Sequence, residues 1–113
     1  MAKNYRQGEV LIFGMDKAQV SQFRLRHGKD WRKRAKQVPD NVIIEGEISG
    51  HKHEVKNGKL YEHPDKKGVM ILEAGEGCVV KHPEHKPIAF PKGTYEINIQ
   101  REYSDGEATK VKD

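Results

Sequence analysis

The chain has 113 residues, 35% of them hydrophobic and 34% charged, with a formal net charge of +4. That length fits one domain, residues 1–113, with a real but small core, and no apolar run approaches the ~20 residues of a membrane-spanning helix. The opening Met1-Ala2-Lys3-Asn4-Tyr5-Arg6 lacks the apolar stretch of a secretory signal, and a single cysteine, Cys78, excludes an internal disulfide, so a cytoplasmic protein is expected.

The first predicted strand runs from Gly8 to Phe13, where the unbroken apolar run Val10-Leu11-Ile12-Phe13 suggests burial on both faces. Residues 16–37 follow as an insertion, read as a short helix or an irregular excursion, because its apolar residues have poor helical periodicity and Gly28 interrupts them. The insertion carries eight Lys and Arg against two Asp, whereas the rest of the chain has thirteen basic and fifteen acidic residues. The basic character is therefore local, which points to an anionic partner more than a high pI alone would.

From Val42 onward the chain reads as strands. Val42–Ile48 is the first. His51–Val55 and Leu60–His63 are predicted to form a hairpin about Asn57-Gly58, since Asn-Gly supplies the positive φ that a type I′ turn needs. Val69–Leu72 and Cys78–His82 are separated by Gly75-Glu76-Gly77, and Pro87–Phe90 and Thr94–Tyr103 by Pro91-Lys92-Gly93; Asp105-Gly106 marks a last turn. Short strands with turns every 8–12 residues predict a mainly β fold, a small antiparallel barrel or sandwich carrying the basic insertion.

Four of the six histidines fall in two short elements, His51-Lys52-His53 and His82-Pro83-Glu84-His85. On a strand, side chains two apart share a face, so His51, His53 and Val55 point together, and Val55 marks that face as inward. Cys78, Val80 and His82 share a face in the same way, and Pro83 ends that strand so that His85 turns back beside His82. If the two elements meet, His51, His53, His82 and His85 form a nitrogen-rich pocket suited to zinc, iron, manganese, nickel or copper. Three protein ligands and a water would allow metal-assisted hydrolysis or oxygen chemistry; the spacing leaves open whether the protein is an enzyme. Cys78 and Glu84 are further candidates, although a free cysteine is most often a small buried hydrophobe. Arg101 and Tyr103 belong to the same neighbourhood, with Arg101 either holding an anion beside the metal or forming a structural ion pair with Glu45, Glu47 or Glu84. His27 and His63 stand outside the pattern and are expected at the surface.

The His51-Lys52-His53 strand, with Pro91-Lys92-Gly93 before a tyrosine-bearing strand, loosely resembles the cupin double-stranded β-helix. Only His51 and His53 match the cupin ligand set, because Glu96 stands where the second motif has histidine. A closer resemblance covers most of the chain. RQGEVLIF, EGEISGHKHEV and HPEHKPIAFPKGTYEINIQREYS are similar to a group of small proteins of bacteria and their phages with no assigned activity, whose pattern runs RQGDV, GExxGHxH and HxxHxPxxLPxGxYxVxxQREY. Glu9 replaces Asp and Phe90 replaces Leu. The resemblance implies that the four histidines act as one unit with the Gln100–Tyr103 segment.

The alternative is a non-enzymatic nucleic-acid-binding or assembly module. Arg24, Arg26, Lys29, Arg32, Lys33 and Arg34 would meet phosphates or an acidic protein surface, with Trp31 and Phe23 stacking on bases.

Overall fold

The computed structural model describes residues 3–45, 50–100, 103–104 and 107–108. In chain order the elements are β1 (Asn4–Gln7), β2 (Val10–Gly14), α1 (Lys17–His27), α2 (Trp31–Arg34), β3 (Val42–Glu45), β4 (Lys52–Glu62), β5 (Met70–Lys81), β6 (Ile88–Phe90), β7 (Gly93–Ile99), β8 (Tyr103–Ser104) and β9 (Glu107–Ala108). The fold is mainly β, as the strand pattern predicts. A seven-stranded antiparallel sheet is ordered β1-β2-β7-β5-β4-β3, with β6 paired to the distal half of β5; β8 and β9 form a separate ribbon. Among the described residues β1 and β3 remain the edges of an open sheet, so of the two expected forms, barrel or sandwich, the closed barrel is not formed.

The apolar run at Val10–Phe13 is the second arm of a hairpin rather than the first strand. Gln7 pairs with Val10, which leaves Gly8-Glu9 as a two-residue connection with Gly8 at φ 58. Glycine at the first central position is what a II′ turn demands. The second difference lies at Asn57-Gly58, where no hairpin forms. β4 runs straight through, and its partner β5 runs through Gly75-Glu76-Gly77. Asn57 at φ 60 and Gly77 at φ 69 take the positive angles, but in a bulge, with the pairing jumping from Lys56–Val79 to Gly58–Ala74. The Asn57 side chain donates to the Gly77 carbonyl across the bulge (3.2 Å). One consequence is a change of phase: odd-numbered His53 and Val55 face inward before the bulge, even-numbered Leu60 after it.

The main core lies on one face of the sheet and includes Val10, Ile12, Val55, Leu60, Leu72, Cys78, Val80 and Ile97. A second, smaller cluster of Trp31, Ala35, Tyr61 and Ile71, with Phe23 against it, seats the insertion on the other face. Helix α1 begins at a capping box, Asp16 Oδ1 accepting from the Gln19 N–H (2.8 Å) and Gln19 Oε1 from the Asp16 N–H (2.9 Å). It ends at Gly28, whose φ is 86. Its one inward stripe is Val20, Phe23 and His27, at helical spacing. The insertion is therefore helical but holds the sheet through few side chains, which is why its apolar periodicity is weak.

His27 and His63 are part of that attachment rather than surface residues. His27 is buried, its ring centroid lies 4.5 Å from Phe23 and 5.3 Å from His63, and its Nδ1 is 3.4 Å from Asp65 Oδ2. His63 Nδ1 accepts the backbone N–H groups of Asp65 (3.0 Å) and Lys66 (2.9 Å), which only a neutral ring can do. Burial, then His27 and Lys66, push the His63 imidazolium below its ordinary range. The unfolded chain therefore binds this proton more readily than the folded one, and stability present above about pH 6.5 falls as pH drops below it. Urea midpoints of chelator-treated protein are expected to decline between about pH 7 and 5.5. His63→Asn, whose side-chain oxygen accepts the same two N–H groups without titrating, is expected to decline less steeply. Parallel profiles would show that His63 is not a source of the pH dependence.

Candidate functional site

Three elements meet at one end of the sheet: the start of β4, the segment after β5, and the β1–β2 turn. The start of β4 carries His51 and His53. Alternation turns His53 fully inward, while His51, at the strand mouth, remains about 30% exposed in its side chain. His82 follows the last residue of β5 and is buried. Pro83 stops the strand, and the turn brings His85 back onto His82, with ring centroids 4.5 Å apart. His53 lies 4.3 Å from His82 and 6.0 Å from His85, and His51 lies 5.6 Å from His82. The four imidazoles singled out in the sequence thus form one cluster.

The third contributor is not among the residues chosen from the sequence. The Gly8-Glu9 turn folds over the cluster, and the carboxylate of Glu9, 10% exposed, places Oε1 3.4 Å from His53 Nε2. Gly8 lets the turn approach: a Cβ there would stand 2.9 Å from His85 Nε2. Gln7, also buried, has Oε1 2.7 Å from His53 Nδ1. The sequence signal for all three is the polar triplet Gln7-Gly8-Glu9 set against a buried apolar strand, and the acid at the fourth position of the RQGDV-like motif.

The electrostatics of the pair are unbalanced. Burial is the largest influence on His53 and pushes its imidazolium below the usual range; His82 and His85 act in the same direction, and Glu9 opposes them. A neutral His53 that gives its Nδ1 hydrogen to Gln7 has a lone pair on Nε2, and that lone pair faces a carboxylate. Both oxygens of Glu9, Nε2 of His53 and Nε2 of His85 are buried without a hydrogen-bond partner among the described residues. Unpaired buried acceptors of this kind are costly, and a carboxylate more so.

The other candidates fall into distinct places. His82 Nδ1 accepts the Glu84 N–H (3.0 Å), so its neutral ring carries hydrogen on Nε2 and stands in the wall as a donor. Glu84 Oε1 lies 3.6 Å from His51 Nδ1 at the rim. Cys78 is fully buried in the main core beside Gly58, and burial pushes its thiol up, the behaviour of a small hydrophobe. Arg101, and Glu47 as its suggested partner, lie outside the described residues, as do the side chains of Glu45 and Tyr103 and the turn at Asp105-Gly106.

On the insertion, Arg24, Arg26, Lys29, Lys33 and Arg34 are exposed. Arg32 is engaged instead with Glu73, its Nε donating to Oε1 (2.6 Å), and Arg34 donates to the His27 carbonyl. Trp31 is 2% exposed and has no free face for a base to stack on. No helix among the described residues is long and apolar enough to cross a membrane.

Among the described residues, no group of three or more His, Cys, Asp and Glu side chains already stands positioned to hold a metal ion. Two donor atoms each about 2.1 Å from a tetrahedral metal lie roughly 3.4 Å apart, the observed separation of His53 Nε2 and Glu9 Oε1.

The chain belongs to a family described as a domain of unknown function, DUF8820, whose model matches residues 6–100. No curated protein and no solved structure matches it.

Proposed function

We propose that this member of the family is a transition-metal-binding protein whose site is built on His53 Nε2 and the Glu9 carboxylate. The observation that supports the reading is the buried His53–Glu9 pair: Nε2 and Oε1 stand 3.4 Å apart with neither atom in a well-formed hydrogen bond, in a place where a cation would satisfy both. His85 completes the set, because its Nε2 is buried beside Gly8 without a hydrogen-bond partner. His82 and His51 then line the site rather than ligate. Two imidazoles and one carboxylate suit zinc or non-haem iron, and a metal so held would supply Lewis-acid chemistry to a water or substrate in its open positions.

Elemental analysis of untagged protein purified from metal-replete medium tests this. The expected result is near-stoichiometric transition metal in the wild type and its loss in His53→Ala. Metal-free wild type that takes up none on titration, or a His53→Ala variant that keeps its metal, would sink the assignment.

A further inference from the structure

Gln7 lies outside any ligand set, yet its geometry is tightly specified. It is 2% exposed. Its Nε2 lies 3.1 Å from the Val80 carbonyl and 3.0 Å from the Lys86 carbonyl. Both partners are acceptors only, so the amide nitrogen must face them, and the amide cannot be flipped without opposing oxygen to oxygen. The other end of the amide is then necessarily Oε1, 2.7 Å from His53 Nδ1. An oxygen accepts, so Nδ1 must carry the hydrogen, and in the neutral ring Nε2 is left with the lone pair.

The two carbonyls have a second significance. Val80 and Lys86 flank the segment that carries His82 and His85, and His53 sits on β4. One side chain from β1 therefore spans both histidine elements. It reads the position of the His82–His85 segment through its nitrogen and passes that position to His53 through its oxygen. Glu9 follows two residues later on the same turn, so the carboxylate and the imidazole that face each other are held by a common support.

We propose that Gln7 is the positioning residue of this site: it locks His53 in the Nδ1–H tautomer and thereby aims the Nε2 lone pair at Glu9. This rests on the metal-site reading only for its effect on affinity; the tautomer itself is a property of the metal-free protein. Outer partners that fix a ligating imidazole in this way typically change metal affinity 10–100-fold when removed.

The two parts are tested separately. Nitrogen-15 chemical shifts and long-range couplings of the His53 ring, recorded on chelator-treated wild type near pH 8, are expected to show a protonated Nδ1 and an unprotonated Nε2. The opposite tautomer, or an even mixture, would overturn the lock whatever the protein binds. Gln7→Leu is expected to lose the tautomer preference and to weaken zinc binding about 10–100-fold. Gln7→Glu keeps an acceptor for Nδ1–H but opposes its second oxygen to the Val80 and Lys86 carbonyls, so it is expected to retain the Nδ1 hydrogen at a cost in stability. A folded Gln7→Leu that binds zinc like the wild type, while His53 keeps its Nδ1–H, would assign the orientation to packing and overturn the proposal. A wild type that shows the tautomer but binds no zinc would refute the metal reading and leave the lock standing. Should Gln7→Leu fail to fold, the wild-type spectrum and Gln7→Glu still decide the matter.

Discussion

Trp31→Ala is expected to lower stability by about 3–5 kcal/mol, the range for deleting a buried tryptophan. The ring is 2% exposed and sits at the junction of the insertion and the sheet. It meets Phe23 edge-on at 5.0 Å and Tyr61 at 5.3 Å, and the Arg32 guanidinium lies over it at 4.9 Å. Arg32 is in turn held by Glu73 on β5. No other large side chain on the two helices reaches so deep, so the substitution unseats the insertion instead of leaving a small void. At roughly 4 °C per kcal/mol, the melting temperature is expected to fall by about 12–20 °C. Hydrogen exchange is expected to rise across residues 17–34 before it rises in β2, β5 and β7, because the main core is a separate cluster. A variant melting within a few degrees of wild type would show that the helices do not depend on this contact.

Glu9→Gln is expected to move stability and metal binding in opposite directions. In the metal-free protein the Glu9 carboxylate is buried 3.4 Å from His53 Nε2, and with His53 in the proposed tautomer it faces a lone pair. The amide is nearly isosteric, carries no charge and can donate to His53 Nε2. Relief of an unpaired buried polar group is worth on the order of 1–3 kcal/mol, so the metal-free variant is expected to be more stable than the metal-free wild type. With metal present the order reverses. A ligand at 100 times its dissociation constant adds about 2.7 kcal/mol, which the wild type gains and the variant forgoes. Thermal melts with and without excess zinc or iron(II) check both halves. Loss of stability without metal, or equal stabilisation by metal, would contradict the role given to Glu9. A residue kept at a cost to the empty fold is common where function sets the requirement.

The mainly β class was legible because strand alternation and turn residues are local signals. Inward-facing His53, Val55, Val80 and Ile97 follow from the period of two. What failed were choices between structures that use the same residues. Asn57-Gly58 supplies positive φ equally to a hairpin and to a bulge. Only the paired irregularity at Gly75-Glu76-Gly77, which absorbs the extra length on β5, decides for the bulge. The first hairpin was missed because β1, at the sheet edge, is mostly exposed and has no apolar pattern to reveal it. The convergence of the histidines was readable as a condition, that two elements meet. The identity of the third element was not, since Glu9 reaches His53 across 44 positions and no spacing rule connects a turn to a distant strand. At the basic insertion Trp31 reads as a stacking surface because aromatic and basic residues alternate there, but the aromatic faces the sheet, while every Lys and Arg there except the half-buried Arg32 is exposed.

The central claim is that metal is held by imidazole and carboxylate groups from the β1–β2 turn and the histidine cluster. X-ray absorption at the metal edge, on untagged protein loaded with one equivalent of zinc, measures this directly. The account predicts nitrogen and oxygen neighbours at about 2.0–2.1 Å, outer-ring scattering from two imidazoles, and no sulfur. A sulfur neighbour at about 2.3 Å, which only Cys78 or a methionine could supply, or a spectrum of hydrated zinc alone, would contradict it.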